Sequence, residues 1–255
     1  MSKRSAPRLA APEPAPHAPS YRPLYEQIRI LLTQGLVAGE WKPGEAIPSE
    51  FELAARYHVS QGTVRKAIDE LASEHILVRR QGKGTFVASH HEPSHRFRFL
   101  RVMPDSDGNI ELESTLVDLR RQKASPEIAR ALAIRVGAAI HVIRRVLAFA
   151  GRPRILDEIV LAASQFPRLS AARLQEYHVS MYPFYESVYH VRMIRAEERL
   201  TAVRADGFAA SWLRVEGGTP LLCVDRIAFT YGDKPVEWRR GLCLTEGCSY
   251  FNELS

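Results

Sequence analysis

The sequence predicts two folds in one chain: an N-terminal winged helix-turn-helix, mainly α with a β-wing, joined to an α+β domain built on a largely antiparallel sheet. Three observations predict it. Two short capped helices stand close together between Ser49 and Leu71, a basic glycine-bearing hairpin follows them directly, and beyond a polar break near residue 90 strand-like runs alternate with short helices.

Length and composition set the bounds. A chain of 255 residues with 45% hydrophobic content can build two cores. Its formal charge of +6 suits a polyanionic partner, but residues 1–95 hold 12 Lys+Arg against 10 Asp+Glu, so charge matters there only where it is grouped, at Arg65-Lys66 and Arg79-Arg80-Lys83. No apolar run has the length of a membrane span and the N-terminus lacks the apolar stretch of a signal peptide, so a cytoplasmic protein is expected. Cys223, Cys243 and Cys248 form no CxxC pair and read as reduced thiols, with redox sensing by Cys243 and Cys248 the minor alternative.

Residues 1–20, rich in Ala and Pro, cannot bury apolar surface and are expected to be a disordered tail whose Lys3, Arg4 and Arg8 could touch DNA only non-specifically. From Pro23 to about Val37 a helix is expected, with Leu24, Ile28, Leu31, Leu32 and Leu36 as its apolar stripe and proline at its start. Ser49 followed by Glu52 has capping-box spacing, and the helix it starts carries Phe51, Leu53, Ala54 and Tyr57 as its apolar positions. Ser60 caps the next helix. Val64, Ala67, Ile68 and Leu71 recur at helical spacing, leaving Gln61, Gly62, Thr63, Arg65 and Lys66 at its outward start. Strand-like Ile76-Leu77-Val78 and Thr85-Phe86-Val87 flank Arg79 to Gly84 as a wing, where glycine lets the backbone approach phosphates. In such a fold the second helix enters the major groove.

Residues 89–95 (SHHEPSH) are polar and form the expected linker, giving units at 21–88 and 96–255. His90, His91 and His95 lack a cysteine or a spaced carboxylate pair, so no metal site is expected, and no cofactor. Beyond the linker, strands are expected at Ile140–Phe149, Ile155–Leu161, Val191–Val203, Leu221–Tyr231 and Val236–Leu244, and helices at Pro126–Ala133, Pro183–His190 and Ala205–Leu213. A faint repeat pairs Gly137 with Gly218, Arg145 with Arg226 and Gly151 with Gly232, each 81 positions apart, which suggests two related halves facing across a cleft.

Five ordered motifs make the first unit resemble the GntR family of bacterial transcription regulators: Pro23-Leu24-Tyr25-Glu26-Gln27-Ile28, Gly39-Glu40-Trp41-Lys42-Pro43-Gly44, Ile47-Pro48-Ser49-Glu50, Val59-Ser60-Gln61-Gly62-Thr63-Val64-Arg65 and Gln81-Gly82-Lys83-Gly84-Thr85-Phe86-Val87. The resemblance implies DNA contacts from Ser49, Ser60, Gln61, Gly62, Thr63, Arg65 and Lys66 in the helices, and from Gln81, Gly82, Lys83, Gly84 and Thr85 in the wing. The family often has arginine where Phe51 and Gln61 stand, so an operator other than its commonest one is implied. The second unit resembles the UTRA effector-binding module of the HutC subfamily, similar in fold to chorismate lyase, through Arg144-Arg145, Gly151-Arg152-Pro153, Ala196-Glu197-Glu198, Gly218-Thr219-Pro220, Arg226 and Pro235-Val236-Glu237-Trp238 with Arg240.

That second resemblance implies an effector pocket with Arg145, Asp157 and Glu237, with Trp238 and Arg240 close by. An arginine fork suits carboxylate or phosphate, and the acids accept from hydroxyl or amine. Against this, Arg145 and Glu237 could pair with each other, or with Arg226 and Asp225, and Trp238 could be core. Leu147 and Cys243 stand where phosphosugar binders carry a basic residue and an aromatic hydroxyl, which favours a smaller organic acid. The function implied is a ligand-responsive repressor that binds a palindromic double-stranded DNA operator as a homodimer. The competing readings are an enzyme of the chorismate-lyase-like fold with an added nucleic-acid domain, although no GxSxG, HExxH or P-loop is present, and an architectural DNA binder.

Overall fold

The computed structural model describes residues 22–92, 99–105, 111–177 and 180–252. The expected tail, with Lys3, Arg4 and Arg8, and linker residues 93–95, with His95, lie outside these.

The head comprises α1 (Leu24–Val37), α2 (Glu50–Tyr57), α3 (Gln61–Ser73) and the hairpin β1 (Leu77–Arg80) with β2 (Gly84–Val87). The Ser49 hydroxyl accepts from Glu52 N while Glu52 reaches back to Ser49 N, so two otherwise unpaired helix-end donors are satisfied, and Ser60 caps α3 through Thr63 N. Ile28, Leu32, Leu53, Val64, Ile68 and Leu71 form the core under the three helices. Phe51 does not join it. It is 75% exposed, the largest departure from the expected apolar pattern, because Leu53 and Ala54 define the buried side of α2.

In the sensor, six antiparallel strands run in the order β4 (Leu112–Lys123), β5 (Ala139–Phe149), β6 (Arg152–Ala162), β9 (Lys234–Cys243), β8 (Pro220–Thr230), β7 (Arg195–Arg204). The two halves meet where β6 pairs β9. Each half is a strand, a short helix and a hairpin: α4 (Pro126–Ala131) in the first, α7 (Gly207–Leu213) in the second. The repeat is visible bond by bond. Ser125 and Asp206 cap the two helices, and Gly137 N donates to Ala124 O at 2.9 Å as Gly218 N does to Ala205 O at 2.8 Å. Gly137 and Gly218 have φ of +79° and +86°, a region that favours glycine, which is why this landmark recurs in both halves.

Strand alternation divides the side chains of the sheet. Val142, Val146, Leu156 and Val160 turn to α4 and α7, whereas Ile143, Ile159 and Leu161 pack under α5 (Ala171–Glu176) and α6 (Met181–Tyr189). The second face is extended by a small antiparallel pair, β3 (Val102–Pro104) with β10 (Cys248–Tyr250), whose Val102 and Cys248 pack on Leu147, Ile155 and Cys243. Between α6 and this pair a gap remains over the middle of the sheet. The strand expected from Val191 begins only at Arg195, because Ile194 is buried in the core of the head.

Candidate DNA interface and effector cavity

On the head, Gln61, Gly62, Arg65 and Lys66 are exposed along the first turns of α3. One oxygen of Glu50 accepts from Arg65 Nε at 2.9 Å and from Gln61 at 3.3 Å, while the other accepts from Arg79 Nη1 at 2.9 Å. The start of α2 is thereby tied to both the recognition helix and the wing. Partial burial works to raise the Glu50 pKa, but the arginine hydrogen bonds outweigh it and hold the carboxyl below its ordinary value. Lys66 Nζ stands 3.8 Å from the Tyr25 ring centroid, an arrangement that aims the ammonium without neutralising it.

At the wing tip Gln81, Gly82, Lys83 and Gly84 are exposed, and the φ values of +69° and +106° at the two glycines make the tight turn. Two expected contacts are placed differently. Thr85 points inward, 9% exposed, because β2 alternates Thr85 and Val87 in against Gly84 and Phe86 out. The Ser49 hydroxyl is occupied by Glu52, at 2.7 Å.

The gap in the sensor is a cavity of about 70 Å³, room for a few waters or a compact ligand group. Arg145 from β5, Arg226 from β8, Arg239 from β9 and Asp157 from β6 line it, together with Tyr182 of α6 and Tyr250 of β10, over an apolar floor that includes Leu147, Ile155 and Cys243. Arg145 Nε donates to Asp157 at 3.1 Å and Arg239 Nη1 reaches the same oxygen at 3.4 Å. Arg239 also grips Glu237 with two hydrogen bonds of 3.0 Å, and Glu237 accepts from Tyr182 at 3.1 Å and Tyr185 at 2.8 Å. Arg226 donates to Glu198 at 2.6 Å and to Phe99 O, and the Tyr250 hydroxyl donates to Glu198.

Of the expected effector residues, the structure brings Arg145 and Asp157 to the cavity and does not bring the other three. Glu237 is fully buried beneath the wall, its carboxylate shared among Arg239, Tyr182 and Tyr185. Trp238 and Arg240 leave β9 on the opposite face, where Trp238 packs with the α4 core and Arg240 forms an exposed pair with Asp225 at 2.7 Å. The residues missed are Arg101, Arg226, Arg239, Tyr182 and Tyr250, Arg226 having been expected only as a repeat landmark or pairing partner. Two-residue alternation from Glu237 was the available signal for Arg239; nothing local in the sequence pairs the tyrosines with it.

Burial lowers the Arg145 pKa, partly countered by Asp157. For Arg239 burial pulls the same way but is overcome, with Glu237 the strongest opposing influence, and the value rises well above the ordinary one. Burial and then Glu237 push the Tyr182 and Tyr185 phenols up, and burial with Glu198 pushes Tyr250 up to about 12. The wall therefore offers guanidinium cations beside neutral phenols whose single protons are committed to Glu237 and Glu198, leaving the phenol oxygens to accept. Burial also raises the Cys243 thiol, which keeps it an unreactive apolar contact.

Head and sensor touch through α6 and the segment between it and β7. One Glu186 oxygen accepts from the Ser89 hydroxyl, the other from His90 N at 3.1 Å. Arg192 donates to His75 O at 2.8 Å and Ile76 O at 3.1 Å. Ser89 and His90, expected in a polar linker, are thus buried; His90 Nε2 lies 3.0 Å from Met193 O and His91 Nε2 lies 2.7 Å from Ser187 Oγ. No cluster of three or more His, Cys, Asp or Glu with metal-holding geometry occurs among the described residues, nor does a helix long and apolar enough to cross a membrane.

Comparison with known proteins agrees with this geometry. A family model described as the UTRA domain matches residues 108–247, and one described as bacterial regulatory proteins, gntR family, matches residues 24–87. A protein of Escherichia coli strain K12, whose name assigns it to repression of the fructoselysine utilization operon, is 28% identical over 228 residues, 88% of this chain and 91% of that one. The HTH-type transcriptional regulator YurK of Bacillus subtilis strain 168 is 30% identical over 224 residues, covering 85% and 89%. Among solved structures, the ligand-binding domain of a GntR-family regulator from Bordetella bronchiseptica is 43% identical with a TM-score of 0.60, covering 62% of this chain and 98% of that one. PhnF from Mycobacterium smegmatis, 23% identical with a TM-score of 0.53 over 89% of this chain and 99% of that one, shares the fold.

Proposed function

The chain belongs to the GntR family of bacterial regulatory proteins and carries a UTRA domain, and from that premise we propose that it is a homodimeric repressor whose hold on a palindromic operator is set by a small organic acid in the sensor cavity. In this reading residues 21–88 form the DNA head, 96–255 the sensor, and 89–95 the joint between them. Regulation of transcription through DNA and an effector is the activity of the family; the enzyme alternative has no support among the curated relatives, which are transcription regulators. Repression is favoured because several of those relatives are named repressors. A dimer is favoured because one winged helix reads few base pairs, and two heads on symmetric half-sites supply the missing specificity.

The observation that carries the effector class is the cavity wall, where four arginines, Arg101, Arg145, Arg226 and Arg239, stand with a single lining carboxylate, Asp157, the last three of these arginines already hydrogen-bonded. An entering carboxylate meets guanidinium forks already fixed in place, so little ordering cost remains. Asp157 and the Tyr182 and Tyr250 hydroxyls suit a hydroxyl or amine on the same ligand, and the small volume with Leu147 and Cys243 in its floor disfavours a phosphosugar. Transmission runs along α6, which presents Tyr182 to the cavity and, one turn later, Glu186 to Ser89 and His90 behind the wing. A ligand that shifts Tyr182 also shifts the grip on the head. Coupling of about 1–3 kcal/mol would change operator affinity some 5- to 150-fold.

Thermal unfolding of the full chain against a panel of hydroxy acids, amino acids, dicarboxylates and phosphosugars tests this. A cognate acid at about 100 times its Kd should stabilise by about 2.7 kcal/mol, lose that effect in Arg145→Gln, and release operator DNA. Stabilisation by phosphosugars alone, or by nothing in the panel at high concentration, would contradict it.

A further inference from the structure

Away from the effector cavity the sensor carries a second, open pocket of about 440 Å³, at the β4 edge of the sheet. Its chemistry is one-sided. Arg120 and Arg121 of β4, His141 of β5 and Arg168 of the turn after β6 line it, and among the described residues no carboxylate does. Asp118 pairs with Arg120, whereas Arg121 and Arg168 have no hydrogen bond or ion pair with any described residue.

Exposed arginines are ordinarily a solvated face, but the surroundings of these two are built. His141 is buried and donates from Nε2 to Phe166 O at 3.1 Å, which ties β5 to the turn. Phe166 is buried in its turn, its ring 4.9 Å from that of Tyr185 and 5.1 Å from that of Tyr189 in α6, and Leu169 is buried as well. Between these anchors Arg168 follows Pro167 with a φ of +57°, a conformation for which glycine or asparagine is the ordinary choice. An arginine there accepts a backbone cost that glycine would avoid, and its side chain lines the pocket. Burial lowers the His141 pKa, with the Phe166 carbonyl opposing and Arg121 reinforcing it, so the pocket disfavours a further cation and favours an anion.

The number of donors selects the anion. A carboxylate satisfies one guanidinium fork, whereas a phosphate dianion carries twice the charge and three oxygens, enough for two forks. The DNA backbone is the less suitable source of that phosphate. β4 and β7 are opposite edges of the six-stranded sheet, about 24 Å apart, and the head packs on the β7 side, through Ile194 and Tyr231.

We propose that this pocket is a second ligand site, separate from the effector cavity, which binds a phosphate dianion, free or on a small metabolite, through Arg121 and Arg168 beside His141. It stands whether or not the effector cavity takes an organic acid.

The test is isothermal titration of the full-length protein, in buffer free of phosphate and sulfate, with inorganic phosphate, glycerol phosphate and acetate. Either phosphate should saturate one site per chain at millimolar concentration or below, and acetate should not occupy it. Arg121→Gln and Arg168→Gln should each weaken phosphate binding about tenfold or more, and the double variant should abolish it. Both side chains are exposed, so melting temperatures in the absence of phosphate should match wild type. Tighter binding of glycerol phosphate would identify a phosphorylated metabolite as the ligand, and tighter binding of inorganic phosphate the free ion. Phosphate binding that survives in the double variant would place the ion elsewhere and overturn the inference. No saturable uptake of either phosphate by the wild type would also overturn it, and a weaker hold of both variants on operator DNA would then assign the arginines to the DNA surface.

Discussion

The head and the sensor each hold arginines on carboxylates, and the two clusters differ mainly in how much water reaches them. Around Glu50 the Arg65 and Arg79 side chains are 58% and 42% exposed; around Asp157 the Arg145 and Arg239 side chains are 6% and 11% exposed. An exposed pair contributes about 0–1 kcal/mol and is screened by salt, so Arg65 and Arg79 can exchange Glu50 for a phosphate at small cost. A buried pair is different. Its desolvation is offset only while every partner stays in place, which holds the cavity wall in one arrangement before any ligand arrives. In the proposed function, the same chemistry serves as an adaptable surface for a long polyanion and a pre-set one for a small anion.

The comparison breaks first at Glu237. Replacing it by Ala leaves Nε and Nη2 of Arg239 and two phenols without their partner in a buried wall and should destabilise the sensor by about 3–5 kcal/mol, read from the denaturant midpoint. A loss below about 1 kcal/mol would mean that the buried cluster is no stiffer than the exposed one. Glu186→Gln, at the joint, should cost about 1.5–3 kcal/mol by weakening charge-assisted bonds to Ser89 and His90 N. Its more telling readout is functional: the operator affinities with and without a cognate ligand should draw together, whereas a purely structural role would leave their ratio unchanged.

Glu50→Gln is the smallest. At pH 7 it should change stability by less than about 1 kcal/mol, and less again at high salt. The pH dependence has a definite sign: the folded pKa of Glu50 is lowered from its ordinary 4.5, so its contribution is present above that value and lost as pH falls through the lower folded value. Acid unfolding curves of wild type and Glu50→Gln should converge in that range. Curves that differ more at acid than at neutral pH would reverse the assignment.

The contrast also explains what was legible in the sequence. In the head, each signal lies within a few residues of its effect: Ser49 caps through Glu52, Ser60 through Thr63, and the wing turns on Gly82 and Gly84. The exposure of Phe51 was the exception, since an apolar residue beside a buried stripe reads as part of it. In the sensor the repeat was legible because positive φ at Gly137 and Gly218 leaves a mark on sequence. The edge strand Leu112–Lys123 was not, being polar and exposed along much of its length with little alternation.

The cavity was half legible, for a related reason. Arg145 and Asp157 face each other across adjacent strands, Arg145 opposite Asp157 in the register of β5 and β6. Glu237 and Arg239 share a face by parity, but parity does not say which face, and Trp238 and Arg240 proved to be on the other. Tyr182 meets Glu237 from 55 positions away and Arg226 meets Phe99 O across 127, contacts that only the packing of α6 and the closing segment creates.

The most direct measurement is fluorescence anisotropy of the full-length protein on the DNA upstream of its own gene, against scrambled DNA of equal length, through a salt series. The expected result is a preference of about a thousandfold or more for the native fragment, a linear fall of log affinity with log salt as phosphate contacts are screened, and two chains on each palindrome. Equal binding to both DNAs, vanishing together as salt rises, would contradict it and leave the head with only a non-specific basic surface.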